Sequence, residues 1–271
     1  MPALLIRLRE MLARSALRAW GQAALDFIFP AECAACKGFS GDDRVSIFCK
    51  TCWDGIQRLD APGCRQCGRP FLAFAAAPGF PEFLCGECQA SPPFFDRAIS
   101  AAFYGGVMKA AIHQFKFSQK TGLGNMLASV ILQAIDGKFD PSVYRIILPV
   151  PLHRSRYKLR GYNQAELLAR HVADAHHLTL MTENLVRVRQ TTAQWKIATR
   201  RDRRKNVKDA FQVRVPEQIR GQHLIVLDDI FTTGATVNEC AKVLKEAGAA
   251  SVFVVTLSRA GYGTRVQPSG N

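Results

Sequence analysis

The chain has 271 residues, 48% of them hydrophobic, and carries 36 Lys and Arg against 22 Asp and Glu, a formal net charge of +14. This is enough for one large domain, or a domain with an appendage, and for a sizeable core. No stretch approaches the roughly eighteen consecutive apolar residues that cross a bilayer, which excludes stable membrane insertion, while the basic excess argues for an anionic partner such as phosphate or nucleic acid over generic solubilising charge.

Residues 1–20 mix Arg7, Arg9, Arg14 and Arg18 among Leu4, Leu5, Leu8, Leu12 and Leu17. A charged start is not separated from an apolar centre, so the stretch does not read as a secretory signal, and a cytoplasmic location is expected. It predicts an amphipathic helix within 1–29 that packs on its own protein, with a membrane surface or organelle targeting as the alternatives.

Eight of the nine cysteines follow in four CxxC pairs, Cys33/Cys36, Cys49/Cys52, Cys64/Cys67 and Cys85/Cys88. Two-residue spacing turns both thiolates of a pair toward one ion, so four pairs make two closed four-sulfur zinc sites with no open catalytic position. Twelve residues separate the first two pairs and seventeen the last two. Sequential sites are therefore favoured, and crossed ligation stays open. A disulfide framework would need an oxidising compartment that nothing here indicates, and a redox role would need a thioredoxin-like surround. Residues 30–92 are poor in aliphatics and rich in Gly and Pro, so metal must replace much of a core. Eight thiolates and two zinc ions would lower the net charge to about +10. They would also leave this module net negative, a poor match to phosphate. Its Phe71, Leu72, Phe74, Phe80, Phe83 and Leu84 predict docking on the following domain or on a partner protein.

Pro92-Pro93 marks a boundary, and residues 93–271 alternate strand and helix signals. Strands are expected at 98–104, 146–150, 224–227 and 252–257, with helices at 108–115, 123–135 and 163–176. Such alternation predicts an α/β domain with a doubly wound parallel sheet and ligands at the carboxyl ends of its strands. The segment after Pro151 carries His153, Arg154, Arg156, Lys158 and Arg160, donors for a pyrophosphate or a nucleic-acid backbone unless it is only a solvated loop. Residues 187–206 form a second basic island with Gln190, Gln194 and Trp195. It would make a lid over a phosphosugar or a groove for single-stranded nucleic acid, with Trp195 or Tyr162 stacking on a base.

The strand at 224–227 runs into Asp228 and Asp229, then Thr232, Thr233, Gly234, Ala235 and Thr236, then a helix with Val237, Cys240, Ala241, Val243 and Leu244 at helical spacing, Cys240 as a packing thiol. A helix opening on a Gly- and Thr-rich turn aims backbone N–H groups and its positive end at one point, which suits a phosphate. The carboxylates would take ribose hydroxyls or a metal ion. The run is neither the dinucleotide fingerprint nor the Lys-containing P-loop. It resembles the phosphoribosyl-pyrophosphate (PRPP) motif of the type I phosphoribosyltransferases, which implies PRPP with Mg²⁺ as the ligand.

The four CxxC pairs, FYGGVMKAAIHQFKF, PVPLHRSRYKLRGYNQAELLA, the set Arg189, Thr192, Gln194, Arg203 and Asn206, and the PRPP motif occur in the order that makes the chain similar to the ComF family of competence-associated proteins. That resemblance implies a double zinc ribbon, a type I phosphoribosyltransferase-like fold, a link to uptake or handling of single-stranded DNA, and a protein partner in the competence machinery. It carries the phosphate loop 228–236 across, and with it Lys116, Arg160 and Asn163. No hood for a purine or pyrimidine base is evident, because the zinc module stands where one would be sought. An active phosphoribosyltransferase of nucleotide metabolism with unknown acceptor, and a purely nucleic-acid-binding module, remain the alternatives.

Overall fold

The computed structural model describes residues 32–38, 47–60, 62–71, 83–117, 122–192 and 197–261. The expectations for the helix within 1–29 and for Leu72, Phe74, Phe80, Gln194 and Trp195 lie outside the described residues. The chain divides into two compact units between Gly55 and Ile56.

In the first unit Cys33 and Cys36 lie on a tight turn, closed by Lys37 N donating to the Cys33 carbonyl at 2.9 Å. Cys49 caps the one-turn helix α1 (Lys50–Asp54) by accepting from Cys52 N. Phe48 is buried, its ring 5.9 Å from that of Trp53.

The second unit is built on five parallel strands, β1 (Arg97–Phe103), β2 (Tyr144–Pro149), β3 (Thr179–Leu180), β6 (His223–Phe231) and β7 (Ser251–Arg259), in the order β1-β7-β6-β2-β3. The unbroken apolar runs of β6 and β7 occupy its interior because both faces are covered. Helices α4 (Leu123–Ile135) and α6 (Gln164–His176) pack on one face, α8 (Ala235–Glu246) on the other, so the sheet is doubly wound. Residues 57–59 run antiparallel to β1 and cover that edge, with Leu59 N donating to the Ala101 carbonyl at 3.1 Å. β4 (Leu185–Arg187) and β5 (Phe211–Val213) form a separate antiparallel pair, and α7 (Arg200–Val207) lies between them.

Three segments differ from the sequence expectation. β6 continues to Phe231, so Asp228 and Asp229 lie within the strand, extended by pairing as far as Phe231 with Arg259. The basic segment after Pro151 contains helix α5 (Arg154–Arg160), capped by His153 and ended at the left-handed Gly161. The island 187–206 contains α7, which Thr199 caps through its bond with Asp202 N.

The docking expected of the cysteine module on the following domain is seen for the second tetrad, with Phe71 and Leu84 packed against the shared cluster. Short helix α2 (Gly86–Ala90) starts at Cys85, and Cys64, Cys67, Cys85 and Cys88 belong to the same buried cluster as Phe95, Ala98, Phe231 and Cys240, on the face of the sheet that α8 covers. Gly68 has φ +67, and a Cβ there would come within 2.5 Å of the Ala98 carbonyl oxygen, so the Cys64–Cys67 turn lies directly against β1. This part of the cysteine module and the α/β fold share one core.

Candidate functional site

The site lies at the C-terminal ends of β6 and α3 (Gly106–Phe117), where ligands of parallel sheets gather. Asp228 is half-buried and accepts from Asp229 N at 2.8 Å. Burial, and next the charge of Asp229, push its carboxyl up to about 7 against the opposing pull of its amide bond, Lys116 and Arg187. Asp229 forms an ion pair with Lys116, which α3 carries at its C-terminal end. Tyr104 stands close enough for burial and the Asp229 charge to raise its hydroxyl.

After Phe231 the chain turns through Thr232 and Thr233 to Gly234, whose φ of +75 is open to glycine at little cost. Gly234 precedes α8 without a side-chain cap, and the contact of the Ala235 amide with Thr233 Oγ1 is long, 3.4 Å. The positive end of a twelve-residue helix therefore lies at this turn. Two carboxylates near the end of β6 and the Gly234 turn into α8 thus follow one another along the chain.

The other predicted residues fall into separate roles. Asn163 caps α6, accepting from Ala165 N and donating to the Val150 carbonyl, both at 3.1 Å, so its amide serves the fold. His153 caps α5 through Nδ1 and Ser155, Arg154 is exposed, and Arg160 donates to Gln164 Oε1 at 2.8 Å. Arg189 donates to the Asn206 and Lys208 carbonyls, Asn206 exchanges two bonds with the Thr192 backbone at 2.9 and 3.0 Å, and Arg203 donates to the Ile197 carbonyl at 2.9 Å. These polar residues stitch the segment between β4 and β5 together.

Arg156 was among the donors expected after Pro151, whereas Arg187 was not singled out by sequence reasoning. Arg156 donates to the Thr191 carbonyl at 3.0 Å, and Arg187 donates to Thr191 Oγ1 and stands 5.1 Å from the Phe211 ring centroid. Burial, and then the charge of Arg156, lower the Arg187 guanidinium from its ordinary range, while Asp228 pulls the other way. The buried Nε of Arg187 has no protein partner among the described residues. Arg187 thus feels the charges of both Arg156 and Asp228, and Thr191 ties Arg156 and Arg187 together. Their only signal in the sequence was membership of two basic stretches.

The cysteines gather as Cys33, Cys36, Cys49 and Cys52 and as Cys64, Cys67, Cys85 and Cys88, the sulfurs of each group within 4.8 Å of one another. A tetrahedral ion with sulfurs at about 2.3 Å would set them about 3.8 Å apart; Cys36–Cys49 and Cys67–Cys85 measure 3.8 and 3.7 Å. Burial opposes ionisation of Cys64, but the amides of Cys67, Cys85 and Gln66 outweigh it and lower the thiol to about 7. At Cys33 the amides of Cys36, Cys49 and Ala35 outweigh burial and bring it to about 6. Both tetrads fit a structural zinc ion held by four thiolates.

Residues 24–89 match the double zinc ribbon domain and residues 161–267 the phosphoribosyl transferase domain. The chain is 33% identical over 214 residues to a DNA utilization protein, YhgH, of Escherichia coli O157:H7, a match covering 78% of this chain and 89% of the relative. It is 29% identical to competence protein F of Haemophilus influenzae, over 86% of this chain and 98% of the relative, and 28% identical to competence protein ComFC of Bacillus subtilis, over 80% and 85%. Cysteine tetrads and a carboxylate-and-loop site joined in one chain, with relatives matched along most of their length, place this protein in the ComF family.

Proposed function

We propose that the crevice binds PRPP, or a closely related phosphosugar, with Mg²⁺, and that the protein acts in DNA utilization of the kind its relatives are named for. The observation that carries this is the succession of Asp228, Asp229 and the left-handed Gly234 turn into the N-terminus of a twelve-residue helix. In this reading the amides and hydroxyls of residues 232–236 hold the 5′-phosphate, and Asp228 and Asp229 hold the ribose hydroxyls or the ion. Mg²⁺, when bound, neutralises charge on the pyrophosphate. Lys116 is now paired with Asp229 and would exchange that partner for the incoming pyrophosphate, joined by Arg156 and Arg187. No side-chain nucleophile is needed: if ribosyl phosphate is transferred, the chain contributes positioning and charge stabilisation.

Calorimetric titration with PRPP and Mg²⁺ tests the reading. Binding heat in the wild type and its loss in the Asp228→Asn, Asp229→Asn double variant are expected; no heat, or heat unchanged by the double variant, overturns it.

A second reading, single-stranded nucleic acid on the basic surface, draws on the exposed Arg200, Arg201, Arg204 and Lys205 of α7. Its affinity should fall with salt by roughly 0.7 log units per contacted phosphate for each decade of salt concentration. Binding indifferent to salt rejects it. Either activity would suit a competence-machinery partner, whose place on the surface an interaction screen with the full chain would locate.

A further inference from the structure

The second cysteine tetrad and the phosphate loop meet through one buried arginine. Arg259 ends β7 with 3% of its surface exposed. A guanidinium so enclosed must be balanced by what surrounds it, since unpaired buried charge is costly. One of its nitrogens donates to the carbonyl oxygen of Cys67, and its Cζ stands 4.0 Å from the centroid of the Phe231 ring.

Phe231 is the last residue of β6, and its ring is the floor of the loop: a Cβ on Gly234 would lie 2.5 Å from Phe231 Cζ. Phe95 meets the same ring edge-on at 6.2 Å, and backbone bonds from Ala260 N to Phe231 O and from Tyr104 N to Arg259 O, at 2.9 and 2.8 Å, fix both ends of the contact. On the other side, the Cys67 carbonyl belongs to a turn shaped by its cysteines, with Gly68 N donating to Cys64 O at 2.8 Å and Cys67 N to Cys64 Sγ at 3.5 Å. The contacts therefore run without a gap from Cys67 to Arg259, to Phe231, to Gly234. A cavity of about 470 Å³, with Cys67, Cys88, Arg259, Phe231 and Gly234 in its wall, adjoins this chain and leaves room for the ring to move once its support is lost.

We infer that Arg259 is a positioning residue through which zinc in the second tetrad sets the shape of the phosphate loop. The ion fixes the Cys64–Cys67 turn and so the direction of the Cys67 carbonyl. That carbonyl holds the guanidinium over Phe231, and the ring holds Gly234 in its left-handed conformation. Loss of the ion releases the carbonyl, and the loop loses its floor. The consequence for ligand binding rests on the reading of residues 232–236 as the phosphate cradle; the consequence for loop order does not.

The experiment uses the full chain. In Arg259→Met, zinc content is measured by release to a chromogenic chelator, amide hydrogen exchange of residues 232–236 without ligand, and binding of ribose 5-phosphate by calorimetry. Two zinc ions per chain are expected to remain, with loop exchange faster and ribose 5-phosphate bound more weakly, each by about tenfold, the effect of one lost hydrogen bond to a charged group. Wild-type loop exchange in zinc-replete Arg259→Met overturns the inference. Should that variant fail to fold, the wild type is stripped of zinc by graded chelation: loop exchange that rises as the second tetrad empties supports the coupling, and loop exchange unchanged in the zinc-free chain overturns it. Failure of the zinc-loaded wild type to bind ribose 5-phosphate rejects the phosphate reading alone, because exchange still decides the coupling.

Discussion

Gly234→Ala is the substitution whose cost can be worked most fully. An alanine at φ +75 bears the left-handed penalty of about 1–2 kcal/mol. Its Cβ would also lie 2.5, 3.0 and 3.2 Å from three atoms of the Phe231 ring, which Arg259 and Phe95 hold in place. Overpacking of that kind costs about 1–3 kcal/mol. The two effects together reach about 2–5 kcal/mol, and for a unit of this size the melting temperature should fall by roughly 4–20 °C. Relief of the contact must also turn the loop amides away from their common focus, so PRPP affinity should fall with stability. Thermal unfolding by circular dichroism and calorimetry with PRPP–Mg²⁺ measure both. A melting temperature within about 1 °C of wild type, with PRPP bound as before, would refute the reasoning.

Other outcomes follow from the same geometry. Burial and Asp229 raise the Asp228 carboxyl to about 7, so Mg²⁺-dependent PRPP binding should strengthen as pH rises through that value, and Asp228→Asn should flatten the profile. Because the folded value lies above the unfolded one, the folded state binds the extra proton between about pH 4 and 7. The contribution of Asp228 to stability therefore declines as pH rises through this window; denaturant titrations of wild type against Asp228→Asn with the opposite slope would contradict it. Lys116→Met releases Asp229, so binding of Mg²⁺ alone should tighten while PRPP binding weakens, read by two calorimetric titrations. Gly68→Ala would drive a Cβ against the backbone oxygen of Ala98 at left-handed φ, and should cost at least about 2 kcal/mol and loosen zinc at the second tetrad alone, checked by denaturation and metal release. Cys240, at 0% exposure, should resist thiol labelling until the fold opens.

What the sequence made legible was local. Apolar runs of strand length, helical spacing through Leu123–Ile135 and the CxxC pairs each encode their own structure over a few residues, and the Asp-Asp and Gly-Thr run does the same for the loop. The roles of charged residues were less readable, because a basic residue in a basic stretch looks alike whether it faces solvent, caps a helix or lies against a carboxylate. Arg189, Arg203 and Asn206 prove to be internal ties of the segment between β4 and β5, whereas Arg187 lies half-buried near Asp228. Arg259 gave no signal at all: its partners, Cys67 and Phe231, are distant in sequence and meet only once β7 pairs with β6. Docking of the cysteine module was legible in Phe71 and Leu84, but which strand receives it was not, for the same reason. Low aliphatic content near Cys64–Cys88 suggests a module that relies on metal, and only the fold reveals that its cysteines also lean on Ala98 and Phe95.

The central claim is that residues 232–236 grip the 5′-phosphate of a phosphosugar while Asp228 and Asp229 serve its ribose and ion. Phosphorus NMR of PRPP separates these parts, since the 5′-phosphate and the two pyrophosphate phosphorus atoms resonate apart. With Mg²⁺ and the full zinc-loaded chain, the 5′-phosphate resonance should shift or broaden to saturation at one PRPP per chain, and Gly234→Ala should abolish the change. A 5′-phosphate resonance that stays at its free position, or one that responds equally to Gly234→Ala, would contradict the account.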